Sequence, residues 1–396
     1  MSTRANWCIT GVAVAFLVAG VVLTHRVEPG VRVEAVTIAG DTPALKFVPA
    51  SPGPHPVVLL AHGLSGSKEM FFCFGEALAA AGFECFSVDL PGHGASAQPF
   101  SLPGTVQALE AVTHALGPPD VFIGHSMGAY TGAAAMRDAA LNPRLFIAIG
   151  AIPDLRKPGP PLLLMAGRFD EFATPARLQA RTDARVVISP HSDHAFELFD
   201  GYLVKSAVEA ACNAVGRTSP ASIPTAWRWR SLGMLLALLV AVVLALRLPA
   251  FPSRWARLRG PVVWVIVVGP FILCSGTWIG AAPHLHQIPV QVATMIICWL
   301  MVAGAAWLRL PRWSLVPLTV AVAIICVVAG APIAGFFAVL FALALLVGTL
   351  LGWLAARHGS RRDGDLAMAI HAGYVIGQWL PFPLLAFVKI LFGIYT

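Results

Sequence analysis

Val121-Phe122-Ile123-Gly124-His125-Ser126-Met127-Gly128-Ala129 decides how this chain folds. Three apolar residues, two of them β-branched and one aromatic, read as a buried strand. The small residues from Ala129 to Ala135 read as the start of a helix. The chain must therefore turn sharply from strand to helix at Ser126. So tight a turn leaves no room for bulk two residues before or after the serine, and Gly124 and Gly128 stand at those places. The turn also holds Ser126 strained, with its hydroxyl exposed above a sheet edge. Gly and Ser are common in loops, so the pentapeptide gains meaning only from its partners elsewhere.

Working outward, Pro56 to Ala61 is a strand that ends in His62-Gly63-Leu64. Glu84 to Val88 is another, followed by Asp89-Leu90-Pro91-Gly92-His93-Gly94. Downstream, Pro161 to Met165 leads into Ala166-Gly167-Arg168-Phe169-Asp170. Ala184 to Ser189 then leads into Pro190-His191-Ser192-Asp193-His194. With these four motifs in this order, residues 31–215 resemble the α/β-hydrolase superfamily. The resemblance implies that Ser126 is a nucleophile, His194 its general base and Asp170 the acid that orients the imidazole. It implies that the backbone N–H groups of Met127 and Leu64 form the oxyanion hole. The implied chemistry is cleavage of carboxylic ester or thioester bonds through an acyl-enzyme, with no cofactor and no metal. A serine hydroxyl is a weak nucleophile at neutral pH, which is why a base must adjoin it.

Each assignment has a rival. His191 lies three residues before His194, but Asp193-His194-Ala195-Phe196 resembles the superfamily's catalytic loop leading into the last helix. Glu171 neighbours Asp170, but the Gly167-x-x-Asp170 spacing with Pro175 beyond it resembles the superfamily's pattern for the acid. His62 and His93 read as hydrogen-bonding groups within loops, and His125 as the variable position of the turn. Phe71, Phe72, Phe169 and Phe172 read equally as core or as the lining of an acyl pocket. A metal reading of His191, Asp193 and His194 lacks a further ligand cluster. A Cys73–Cys85 disulfide is conceivable in an oxidising compartment.

Further strand-like runs are Val31 to Ile38, Ala44 to Pro49 and Leu145 to Gly150. Helical stretches are Lys68 to Ala81, Thr105 to Leu116 and about His194 to Val215. Strands alternating with helices specify the α/β class and a mostly parallel, doubly wound sheet. Only Ala151 to Pro160 separate the strand at 145–150 from the acid-bearing strand. Many members of the superfamily that the chain resembles insert a helical cap there; without one, the site should be open from above.

The whole chain has 396 residues, 57% hydrophobic and only 12% charged. The excess of apolar residues is uneven. Residues 25–216 carry 13 Lys/Arg against 18 Asp/Glu, whereas residues 217–396 carry 13 against two, Asp363 and Asp365. No basic cluster falls on the folded domain, which excludes a nucleic-acid footprint. Seven stretches approach the length of apolar chain that crosses a bilayer: 5–24, 231–249, 261–281, 289–308, 314–332, 334–356 and 368–392. The expected organisation is an N-terminal transmembrane anchor at 1–24, an α/β-hydrolase domain at 25–216, a linker at 217–230 and an all-α bundle of six transmembrane helices at 231–396. Arg4, Arg247, Arg254, Arg257, Arg259, Arg309, Arg312, Arg357, Arg361 and Arg362 fall in alternate loops. The positive-inside rule puts those loops in the cytoplasm and the hydrolase domain on the extracytoplasmic side of the cytoplasmic membrane. Arg228 and Arg230 run against this pattern. An open site beside a bilayer suits lipid or envelope-linked esters. A different class of function, a transporter, flippase or assembly scaffold with an ancillary hydrolase domain, would explain why six helices are present where one anchor suffices.

Overall fold

The computed structural model describes residues 26–64, 66–137, 141–155, 158–194 and 196–224, with scattered positions in 11–23, 226–233 and 347–371. The chain divides into two compact units, one built mainly from Arg26–Arg228. Among the described residues no helix is long and apolar enough to cross a membrane. The six spans expected in 231–396 fall almost wholly outside the described residues, so the expected bundle has no structural support.

The unit at 26–228 holds an eight-stranded sheet in the order β1-β2-β4-β3-β5-β6-β7-β8. The strands are β1 (Val31–Ile38), β2 (Thr42–Pro49), β3 (Val57–Ala61), β4 (Glu84–Val88), β5 (Val121–His125), β6 (Leu145–Ile149), β7 (Leu162–Gly167) and β8 (Arg185–Ser189). β1 and β2 form an antiparallel hairpin, and β2 joins β4 antiparallel. All pairings from β4 through β3 to β8 are parallel. Every residue of β5, β6 and β7 is buried. Parallel strands covered on both faces need such unbroken apolar runs, which is why Val121-Phe122-Ile123, Leu145 to Ile149 and Leu162 to Met165 read as they do. Phe122 and Phe146 pair in register, with ring centroids 4.9 Å apart. Both are fully buried, and each such side chain contributes about 1.5–3 kcal/mol.

Helices α1 (Phe72–Ala80), α2 (Leu102–Leu116), α3 (Met127–Ala135), α4 (Pro175–Gln179) and α5 (Gly201–Ala214) follow the strands. The stretch expected as one helix from Lys68 begins as a 3-10 turn, Lys68–Phe71, before α1. α2 starts three residues earlier than its apolar pattern suggests. Ser101 caps it by accepting the Gly104 N–H at 3.0 Å, and a proline in the first turn presets its backbone. The last helix does not start at His194. A 3-10 turn, Glu197–Phe199, intervenes, and Asp200 caps α5.

β6 and β7 are joined by residues 150–161, and the described residues among them form no helix or strand. Cys73 and Cys85 are both buried and are not bridged, so the conceivable disulfide is absent. Glu28, at the start of the unit, donates its N–H to Glu76 Oε1 at 3.0 Å. Its own Oε2 accepts the Ala226 N–H at 3.3 Å.

Candidate active site

The strand order reverses between β3 and β5, and ligand crevices in open α/β sheets form at the carboxyl ends of strands flanking such a point. Ser126 stands there, between β5 and α3, with φ 48° and ψ −117°. This left-handed backbone is rare outside glycine and is sustained by its surroundings. The Ser126 N–H donates to Ile149 O at 2.8 Å, tying the turn to the end of β6. A Cβ on Gly128 would meet the Ala61 carbonyl and stand 2.6 Å from His62 O. The first turn of α3 thus lies directly on the end of β3, a closeness only glycine allows. The loop after β3 runs beside the serine: a Cβ on Gly63 would lie 3.1 Å from Ser126 Cβ. Leu64 belongs to that loop. Met127 opens α3, so its N–H is among the donors a helix start leaves without an intrahelical partner.

Asp170 and His194 arrive on the loops after β7 and β8. Both are buried. Asp170 Oδ1 accepts the N–H groups of Phe172 at 2.6 Å and Ala173 at 2.7 Å. Its Oδ2 lies 3.1 Å from His194 Nδ1, and His194 Nε2 lies 3.1 Å from Ser126 Oγ. Burial alone would raise the Asp170 pKa. The hydrogen bond and charge of His194, with hydrogen bonds from Glu197 and Ala173, outweigh it and hold the carboxyl below its ordinary value. With Nδ1–H donating to this carboxylate, Nε2 is left to accept the serine proton. The three residues expected to act together are therefore within hydrogen-bonding reach of one another. The rivals take no part in this relay: His191 and Glu171 are both exposed.

Asp200 anchors the base loop. Its carboxylate accepts from Ser192 Oγ at 2.7 Å and from Ser189 Oγ, and caps α5 through the Tyr202 N–H at 2.8 Å. Phe169 N donates to Ser192 O at 3.1 Å, joining the acid and base loops. Of the four phenylalanines weighed above, Phe71 and Phe72 are core. Phe172 sets its ring 4.6 Å from the His194 imidazole, and Phe169 is 62% exposed. Phe196, beyond His194, is 64% exposed.

Beneath the loop after β3 lies a polar network. Lys68 Nζ pairs with Asp89 Oδ2 at 2.7 Å and Glu69 Oε1 at 2.9 Å, all buried. Burial lowers the Lys68 pKa, but the two carboxylates more than offset this and raise it. His62 accepts the Leu90 N–H on Nε2 at 3.1 Å and donates from Nδ1 to Gly63 O at 2.7 Å. His93 donates from Nδ1 to Pro91 O at 2.9 Å. Burial drives the pKa of His62 down to about 4 and that of His93 to about 3, so both are neutral structural groups. Burial does the same to His125, at about 3, whose Nε2 lies 3.2 Å from His194 O.

Glu197 was not foreseen. It is fully buried behind Asp170, with Oε1 accepting the Gly167 N–H at 2.6 Å and Oε2 lying 3.5 Å from His125 Nε2. Its one sequence signal is an acidic residue set among Phe196, Leu198 and Phe199, in a stretch whose pattern reads as helix but which forms a 3-10 turn. His125, His194 and Glu197 bring potential ligand atoms within 4.8 Å of one another. Both nitrogens of His194 are already engaged by Ser126 and Asp170, so the cluster reads as a hydrogen-bond network, not a metal cage.

Residues 56–146 match the family model of the alpha/beta hydrolase fold. No curated protein matches the chain. Among solved structures, a Thermus thermophilus protein is similar at 20% identity and TM-score 0.39, covering 48% of this chain and 99% of its own. A hormone-sensitive lipase from a metagenome library is similar at 16% identity and TM-score 0.39, covering 55% and 99%. A Mycobacterium tuberculosis esterase is similar at 16% identity and TM-score 0.39, covering 52% and 98%. Taken with the strand order and the turn at Ser126, the family match shows that the chain contains an α/β-hydrolase domain.

Proposed function

We propose that this domain is a serine hydrolase that cleaves carboxylic ester or thioester bonds. The observation that carries the reading is the relay Ser126 Oγ–His194–Asp170, with both links at 3.1 Å. In this reading Ser126 attacks the acyl carbon while His194 Nε2 takes its proton. The tetrahedral oxyanion is received by the N–H groups of Leu64 and Met127, donors of a kind worth about 3–4 kcal/mol of barrier. His194 then protonates the leaving alcohol or thiol, and water repeats the sequence on the acyl-enzyme. Asp170 stays ionised and fixes the imidazole tautomer.

In the same reading the domain belongs to a multi-pass membrane protein and faces the extracytoplasmic side. The apolar segments of 231–396 and the alternation of their arginine-bearing loops support this. The exposed Phe169 and Phe196 flank the acid and the base, and the described residues of the connection 150–161 form no helix that could cap them. Esters of lipids or of envelope polymers are the substrates that such an open, aromatic-edged site suits. Labelling with a fluorophosphonate tests the chemistry: the protein should react and Ser126→Ala should not. Labelling that survives this substitution refutes the assignment. A reporter active only outside the cytoplasm, fused after residue 216, tests the orientation; a silent fusion refutes it.

A further inference from the structure

The Asp170 and Glu197 carboxyl groups are in hydrogen-bonding contact beside His194, and their surroundings differ. Asp170 receives three donors: the amides of Phe172 and Ala173 and the imidazole of His194. Glu197 receives the amide of Gly167 alone, and its Oε2 has no donor although it is fully buried. A buried carboxylate needs several donors or a cation. The titratable groups that face Glu197 are His125 from the end of β5, Asp170 and Glu171 from beyond β7, and His194 from its own loop. None supplies the missing charge. His125 is a neutral imidazole whose Nε2–H is directed to His194 O, and two of the other groups are acids.

We propose that Glu197 is a positioning residue: a neutral carboxylic acid that donates its proton to the Asp170 carboxylate and fixes it against His194 Nδ1. This rests on the hydrolase reading above. Donor counts already separate the two groups, since three donors suit an anion and one suits an acid. Their pKa values part in the same direction. Burial first, then the charge and hydrogen bond of Asp170, push Glu197 up to about 11, while Asp170 is held below its ordinary value. Two adjacent buried carboxyls do not both ionise, and the proton stays on the one with fewer donors. The backbone leaves room for this acid: Gly150, at the end of β6 with φ +59°, would drive a Cβ into Glu197 Oε2 and to 2.8 Å from His194 Nδ1. Asp170 thereby holds one negative charge for the imidazolium that forms during acyl transfer, with one oxygen on backbone amides and the other on the ring.

The test uses the full chain in an ester-free detergent and compares wild type with Glu197→Gln and Glu197→Leu. Glutamine keeps a neutral donor; leucine does not. The readouts are the fluorophosphonate labelling rate against pH and the infrared carbonyl band of a protonated carboxyl at pH 8. Expected are Glu197→Gln labelling within about threefold of wild type with its acid limb unmoved, and Glu197→Leu slower by roughly tenfold or more. The carboxylic-acid band should be present in wild type and missing in Glu197→Gln. A Glu197→Gln protein as slow as Glu197→Leu, an acid limb that moves down by about half a pH unit, or no difference band would each show an ionised Glu197 and overturn the proposal. The band is independent of Ser126. A wild type that shows the band and does not label refutes the hydrolase reading and leaves the protonation of Glu197 established.

Discussion

Gly150 and His194 occupy adjoining space: a Cβ on Gly150 would stand 2.8 Å from His194 Nδ1. The end of β6 is thus part of what sets the imidazole angle, although it carries no side chain. Gly150→Ala should displace the ring from Ser126 and strain a backbone at φ +59°. We expect about 1–3 kcal/mol of lost stability and a labelling rate lower by roughly a hundredfold. A labelling rate and melting temperature equal to wild type would contradict the packing described.

The Lys68–Asp89 pair joins the stretch after β3 to the loop after β4. Lys68 also donates its backbone N–H to Asp89 Oδ1 at 2.7 Å. Lys68→Met would leave the Asp89 carboxylate buried with amides only, at a cost of about 3–5 kcal/mol. Urea unfolding should show this as a lower midpoint with an unchanged slope.

Acid stability follows from three buried histidines. His62, His93 and His125 have folded-state pKa values of about 4, 3 and 3, below the ordinary 6.5. As pH falls below 6.5 the unfolded chain binds protons first, so the stability these residues provide is present above 6.5 and drains away down to about pH 4 for His62 and about pH 3 for His93 and His125. Each contributes a slope of about 1.4 kcal/mol per pH unit. Glu197 has the opposite sign, because its folded pKa of about 11 lies above the ordinary 4.5. It binds its proton only in the folded state over that window, so its contribution is full below 4.5 and falls as pH rises. Between pH 4.5 and 6.5 the net uptake on unfolding is about two protons, three less one. Melting temperatures across this window should drop towards acid, and His93→Gln should flatten the drop. A level profile would contradict the neutral state of these rings.

Phe169 and Phe196 are exposed on the loops that carry the acid and the base. If the substrate is lipid, Phe169→Ser with Phe196→Ser should leave turnover of a short soluble ester within about twofold. The same pair should lower turnover of a long-chain ester in vesicles by roughly fivefold or more, through lost apolar contact. Equal loss on both substrates would assign the rings to local packing instead.

The parallel strands were plain in the sequence because each is an unbroken apolar run bounded by turn residues. β4 and β5 begin where the pattern places them, β3, β6 and β8 depart from it by one residue at an end, and β7 starts one residue later and ends two residues later than its apolar run. Helix starts were less legible. Ser101 begins α2 through a side-chain cap that apolar periodicity does not register, and α4 is a single short turn with too few residues to show a period. Ser126, Asp170 and His194 could be named because each ends a strand in a short motif. Glu197 could not, since its role depends on Gly150 and Gly167, far away in sequence and adjacent only after the sheet has formed.

The carboxylate of Glu28 holds the Ala226 amide, and its own amide is held by Glu76. The chain therefore enters and leaves this domain at one point, some two hundred residues apart in sequence. The two ends of the domain are thus clasped by one side chain. A boundary cut at that clasp should yield a portable module, and rejoining its two ends with a short bridge would leave new termini free to be opened elsewhere on its surface.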